Sequence, residues 1–243
     1  MAPRRSDSLS ALQILPNVVT ILGLCAGLTA LRLILAGRFE QAVLLLAAAV
    51  VLDGLDGLLA RKLDAATPFG AELDTLSDFL NFGVVPALLA YHFALDLSHP
   101  TAWVLALVYS ICACLRLARF NVDRACPVPT ETRRFTGVPA PGGAVLALWP
   151  VFLTFQEIID VTRAPLLYGL WLAAVGLMMT SRIPTTSSKS IRIPRDKAWL
   201  VMIGVTVAVG LMLTKVWLLA SILPLAYLAV LARDVARHLR RRV

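Results

Sequence analysis

The chain has 243 residues, is 58% hydrophobic and only 16% charged, and has a mean hydropathy of +0.78. A soluble domain carries about a quarter charged residues, so this composition excludes an ordinary soluble fold and points to a multi-span membrane protein. The net charge is +8 with a pI near 9.9, but the cations fall between apolar runs, where anionic headgroups and orientation signals account for them. No nucleic-acid partner is expected.

Arg4 and Arg5 precede an apolar run, as in a signal peptide. The run from Val18 to Ala36 is long enough to span, however, and no small-x-small site ends it, so it reads as a retained span. Residues 5–16 read as a short interfacial helix. Leu9, Leu12 and Leu15 recur at helical spacing, and Pro16 is expected to end it. With about 20 apolar residues needed to cross a bilayer, about eight spans are expected. They cover 17–36, 41–61, 71–95, 101–119, 140–158, 164–181, 198–213 and 216–233. Pro86 is expected to bend the third. The fold class is therefore all-α, a polytopic transmembrane bundle. It comprises an interfacial segment (1–16), one membrane domain (17–233) and a basic tail (234–243). Cys25, Cys112, Cys114 and Cys126 form no C-x-x-C and have no His cluster nearby, so they read as small hydrophobes.

Charge sets the orientation. With the N-terminus in the cytoplasm, all of the 23 Lys and Arg residues except Arg32, Arg38, Arg163 and Lys215 fall on the cytoplasmic side. That asymmetry predicts an N-in, C-in topology.

The second and third spans carry what a membrane helix avoids. In VLDGLDGLLARKLDAATPFGAELDTLSD, Asp53 and Asp56 are i and i+3 on one helix, and Asp74 and Asp78 are i and i+4 on the next. Each pair shares a helix face, and the loop near 62–70 lets the faces converge. Asp53 lies eight residues before Arg61, which puts it at most about 12 Å inside the membrane edge. Unpaired carboxylates there would cost several kcal/mol each or protonate, and four together repel. A bound divalent cation, or two, resolves the conflict. All-oxygen ligands favour Mg²⁺, Mn²⁺ or Ca²⁺ over Zn²⁺. Gly54, Gly57 and Ala60 leave helix 2 smooth for a ligand, Arg61 offers a fork for phosphate, and Gly70 frees the loop backbone. Glycine and alanine at such spacing also serve helix packing, but packing does not explain four carboxylates in two faced pairs.

At these residues the chain resembles the CDP-alcohol phosphatidyltransferases, whose signature is D-x-x-D-G-x-x-A-R-x8-G-x3-D-x3-D. Asp53, Asp56, Gly57, Ala60, Arg61, Gly70, Asp74 and Asp78 fill every fixed position. The resemblance implies a two-metal site, Mg or Mn, held by Asp53, Asp56, Asp74 and Asp78, with Asp78 also the base for the acceptor hydroxyl. It implies that Gly57, Ala60, Arg61, Thr67 and Gly70 meet the CDP portion of the donor. Asn17 and Thr20 of the Pro-Asn-x-x-Thr segment would contact it too.

Further stretches are similar to the phosphatidylserine synthase branch: Phe69 to Tyr91, RLARFN at Arg116–Asn121, Phe135-x-Gly137-x-Pro139-x-Pro141, and Ile183-Pro184 with Lys189. The family pattern leads one to expect Leu where Val138 stands. This likeness implies transfer of a phosphatidyl group from CDP-diacylglycerol to L-serine in a bacterial cytoplasmic membrane, with the site on the cytoplasmic side and the chain a homodimer. Candidate acceptor contacts are Arg116, Arg119 and Asn81. The core signature leaves glycerol 3-phosphate, an inositol phosphate or choline open as acceptors. A cation-coupled transporter is the alternative of another class, but it would need carboxylates on later spans.

Overall fold

The computed structural model describes residues 11–95, 99–125 and 137–181, with separate helical positions between 217 and 233. Among the described residues every regular element is helical. In chain order they are α1 (Ala11–Leu35), α2 (Phe39–Lys62), α3 (Pro68–Asp78), a π turn (Phe79–Val84), α4 (Val85–Phe93), α5 (Pro100–Ala125), α6 (Ala140–Phe155), a 3₁₀ turn (Val161–Arg163) and α7 (Pro165–Thr180).

Four helices are long and apolar enough to cross a membrane: Ile14–Leu35, Phe39–Lys62, Pro68–Phe93 and Pro100–Asp123. They match the first four expected spans to within a few residues. The fifth and sixth are also helices, α6 and α7, of 16 residues each. At 1.5 Å per residue each is about 24 Å long, short of a hydrocarbon core of roughly 30 Å. The expected span 198–213, most of the basic loops and the tail lie outside the described residues, and 216–233 is described only in part.

One local expectation needs correction. Pro16 does not end a helix, because α1 runs through it. Proline removes one helical N–H, the one that would reach the carbonyl four residues earlier, and a membrane helix tolerates such a break where neighbouring groups take up the freed carbonyl. In the third span the irregularity starts ahead of Pro86, in the π turn, where Val85 N–H reaches back five residues to Leu80 O. A proline ring collides with the carbonyl four residues before it.

The described residues divide into two compact units at Val85/Pro86. In the first, α1 buries Thr20, Gly23, Gly27, Ala30 and Ile34, a stripe at three- and four-residue spacing. The small members let helices approach closely. On α2 the buried positions are Ala42, Val43, Leu46, Ala49 and Asp56. Many of the remaining apolar side chains of these helices face outward, among them Ile21, Leu22, Leu28, Leu44, Val51 and Leu58. So much exposed apolar surface suits lipid rather than water.

In the second unit α5 packs on α7 at close range. A β-carbon on Gly176 would stand 3.0 Å from Tyr109 Cα. The segment leading into α6 docks on the end of α7 through Gly137, which has φ +81° and where a β-carbon would come within 2.6 Å of Met179 O. Only glycine meets both conditions. Arg116 Nε donates to Val138 O at 2.5 Å and Arg119 donates to Thr180 O at 2.8 Å. Both arginines thus tie α5 to the ends of its neighbours, and Arg119 satisfies a carbonyl that the last turn of α7 leaves open.

Candidate active site

The carboxylates expected to converge do so. Asp53 and Asp56 project from α2 and Asp74 from α3, and one ligand oxygen of each lies within 4.8 Å of the others. Asp78 adjoins them, its carboxyl group beside that of Asp53. Asp56 is buried, at 5% exposure, and the other three are half-buried. Carboxylates this close repel unless a proton or a cation stands between them.

The loop that brings α3 against α2 is built locally. Asp64 takes a left-handed backbone at φ +48°. Thr67 caps α3, accepting from Gly70 N–H at 3.0 Å, and Pro68 occupies the first helical position. A Thr-Pro pair is a standard helix start, since the hydroxyl satisfies one open N–H and proline lacks another. A β-carbon on Gly70 would come within 2.6 Å of Asn17 Oδ1 and 3.1 Å of Thr67 Oγ1. The glycine therefore lets α1, the loop and α3 meet, and it brings Asn17 to Thr67.

Thr20 has a second role that the sequence did not reveal. Its hydroxyl donates to Asp56 Oδ2 at 2.7 Å, a buried bond between α1 and α2. It fixes the carboxylate's rotation and leaves lone pairs on both oxygens. Gly54 has open space beside it, and Arg61 folds back over Gly57, with Nη1 3.6 Å from where a β-carbon would be. Ala60 is half-buried and Arg61 exposed at the end of α2. Asn81 lies in the π turn and is 2% exposed. Arg116 and Arg119 belong to the second unit and make the backbone bonds described above.

The donor set fits a hard divalent cation. Three carboxylates from two helices offer oxygens close enough to share one ion, one of them is oriented by a hydroxyl, and a fourth carboxylate adjoins. Among the described residues, no His or Cys belongs to the cluster.

Comparison with known proteins agrees. The sequence model for the CDP-alcohol phosphatidyltransferase family matches residues 13–181. The CDP-diacylglycerol–serine O-phosphatidyltransferase of Mycobacterium bovis is 36% identical over 219 residues, 89% of this chain and 76% of that protein. The enzyme of the same name from Bacillus subtilis is 34% identical over 169 residues, 70% of this chain and 88% of that one. Among solved structures, the phosphatidylinositol phosphate synthase of Mycobacterium tuberculosis, crystallised with manganese and citrate, superposes with a TM-score of 0.53 at 22% identity. The match covers 74% of this chain and 87% of that one, and the likeness is one of fold. Four aspartates of the signature gathered on α2 and α3, inside a sequence match that spans most of the chain, identify this protein as a member of the CDP-alcohol phosphatidyltransferase family.

Proposed function

We propose that the protein transfers the phosphatidyl group of CDP-diacylglycerol to the hydroxyl of L-serine, releasing CMP. The observation that carries the reaction type is the convergence of Asp53, Asp56 and Asp74 with Asp78 beside them. The choice of serine rests on the relatives that share 34–36% of their residues with this chain.

In this reading Asp53, Asp56, Asp74 and Asp78 hold two ions, Mg or Mn. When bound, such ions polarise the pyrophosphate and stabilise the CMP leaving group. The chain's own groups do the rest. Arg61, at the end of α2 beside Gly57, meets donor phosphate with a charged fork. Gly57, Ala60, Thr67, Gly70, Asn17 and Thr20 form the surface on which the CDP portion rests. Asp78 takes the proton from the serine hydroxyl as its oxygen bonds to phosphorus and the bond to CMP breaks. A positioned carboxylate of this kind contributes about 10²–10⁴-fold. Arg116 and Arg119, with Asn81, are the proposed acceptor contacts. A guanidinium has five N–H donors, so a bond to a backbone carbonyl is compatible with one to serine's carboxylate. The diacylglycerol tails stay in the bilayer.

Metal removal tests the reaction type. Chelation should abolish CMP release from CDP-diacylglycerol, and Mg²⁺ or Mn²⁺ should restore it. Full activity in excess chelator would falsify the metal reading, and transport of a cation without CMP release would favour the transporter.

The same reading gives about eight spans with both ends in the cytoplasm, a single catalytic domain over 17–233 between the interfacial 1–16 and the tail 234–243, and a homodimer in a bacterial cytoplasmic membrane. The charge asymmetry supports the orientation. Single cysteines in 120–138 and 182–197, placed in a cysteine-free background, should resist an impermeant maleimide in intact cells and react after lysis. Reaction from outside would reverse the topology and with it the side of catalysis.

A further inference from the structure

Asn81 is 2% exposed, and it sits in the π turn that starts directly after Asp78. Its Nδ2 donates to Gly23 O of α1 at 3.2 Å and to Ser77 Oγ at 3.3 Å. Its Oδ1 has no hydrogen-bond donor among the described residues. That oxygen lies against the bare Cα of Gly27, in the space a β-carbon there would need. A Cα–H group offers only weak compensation for a buried carbonyl oxygen. The arrangement thus sets a buried, half-satisfied amide into a seat that glycine alone leaves open. Such groups call for an explanation beyond packing.

The π turn supplies one. A π turn takes more residues than an α turn, so it shifts the angular register of the helix downstream of it relative to the helix upstream. Asp74 and Asp78 lie upstream. Phe82 and Val85, at 1% and 0% exposure, are core residues within or just after the turn. The register shift lets the carboxylates face the cluster while the next turn faces the core. The amide of Asn81 holds that turn at one rotation on α1. The same stretch of α1, one turn earlier, holds Asp56 through Thr20.

We propose that Asn81 is a positioning residue. Seated on Gly23 and Gly27 and bonded to Ser77, it locks the π turn after Asp78 and so sets where Asp74 and Asp78 stand relative to Asp53 and Asp56. This rests on the metal reading of the cluster and adds a role for Asn81 that does not require contact with the acceptor.

The test is Mn²⁺ binding to purified protein in detergent, measured by electron paramagnetic resonance without substrate. Asn81→Ala and Gly27→Ala, each checked for a monodisperse folded species, should both weaken binding by about tenfold or more, the range for losing a group that orients metal ligands. Leu28→Ala, on the outward face of α1 at 51% exposure, should bind as wild type. The two effects should not add, because the methyl of Gly27→Ala has nothing to collide with once Asn81 is alanine. The double variant should therefore match Asn81→Ala alone. If Asn81→Ala does not fold, Gly27→Ala carries the test by itself, since Asn81 is intact there and only its seat is altered. Wild-type affinity in a folded Gly27→Ala or Asn81→Ala protein, or additive losses in the double variant, overturns the proposal. Absence of Mn²⁺ binding by the wild type sinks the metal reading, and the positioning role with it.

Discussion

Asp78→Asn should lower phosphatidyl transfer by about 10²-fold or more, the loss expected when a general base is removed. The substitution keeps the size of the side chain and removes both its charge and its capacity to take a proton. Asp53, Asp56 and Asp74 still bring their oxygens within 4.8 Å of one another, so metal and CDP-diacylglycerol binding should fall far less than turnover. The structure adds a condition. Asp78 stands beside Asp53, and the asparagine amide can donate to that carboxylate, so the geometry of Asp53 should survive. Turnover, metal titration and donor binding measured on one preparation separate these effects. Near-normal turnover in Asp78→Asn would mean that another group accepts the proton, and the base assignment would fail even with the family assignment intact.

Asp56→Asn should fail in a different way. Asp56 is the most buried of the four, at 5% exposure, and its carboxylate accepts from a hydroxyl on another helix, Thr20 at 2.7 Å. The asparagine can still accept from Thr20, so the helices should stay in place, but one ligand charge is gone. Metal affinity should drop by at least the roughly 10–100-fold seen when an orienting partner is lost, and donor binding should weaken in parallel. Excess Mg²⁺ or Mn²⁺ should recover part of the rate in Asp56→Asn and little in Asp78→Asn. Identical metal responses in the two variants would contradict the division of roles.

Much of this was legible in the sequence because the signals are large. Apolar runs of span length marked the first four helices. Two aspartate pairs at i,i+3 and i,i+4, joined by a short loop, predicted the cluster on α2 and α3. What escaped depends on contacts between segments far apart in the chain. Thr20 looked like one more residue on the ligand surface, and its bond to Asp56 depends on how α1 lies on α2. Pro16 read as a stop because proline breaks helices in water, whereas α1 runs through it. A bend was expected at Pro86, but nothing marked the π turn just ahead of it, which has no composition of its own. Asn81 read as a polar residue available to the acceptor. Its burial on Gly23 and Gly27 came into view only with the register between α1 and the π turn. Gly27 itself sat in an apolar run with nothing in the sequence to mark it as a seat.

The most direct test of the central claim is an acceptor panel. Purified protein, CDP-diacylglycerol and Mn²⁺ would be offered L-serine, glycerol 3-phosphate, an inositol phosphate or choline, with CMP and the lipid product measured together. Serine should give phosphatidylserine and CMP in equal amounts and at the highest kcat/KM of the panel. Preferential transfer to any of the other three would contradict the assignment of serine, and no CMP with any acceptor would contradict the assignment of the reaction.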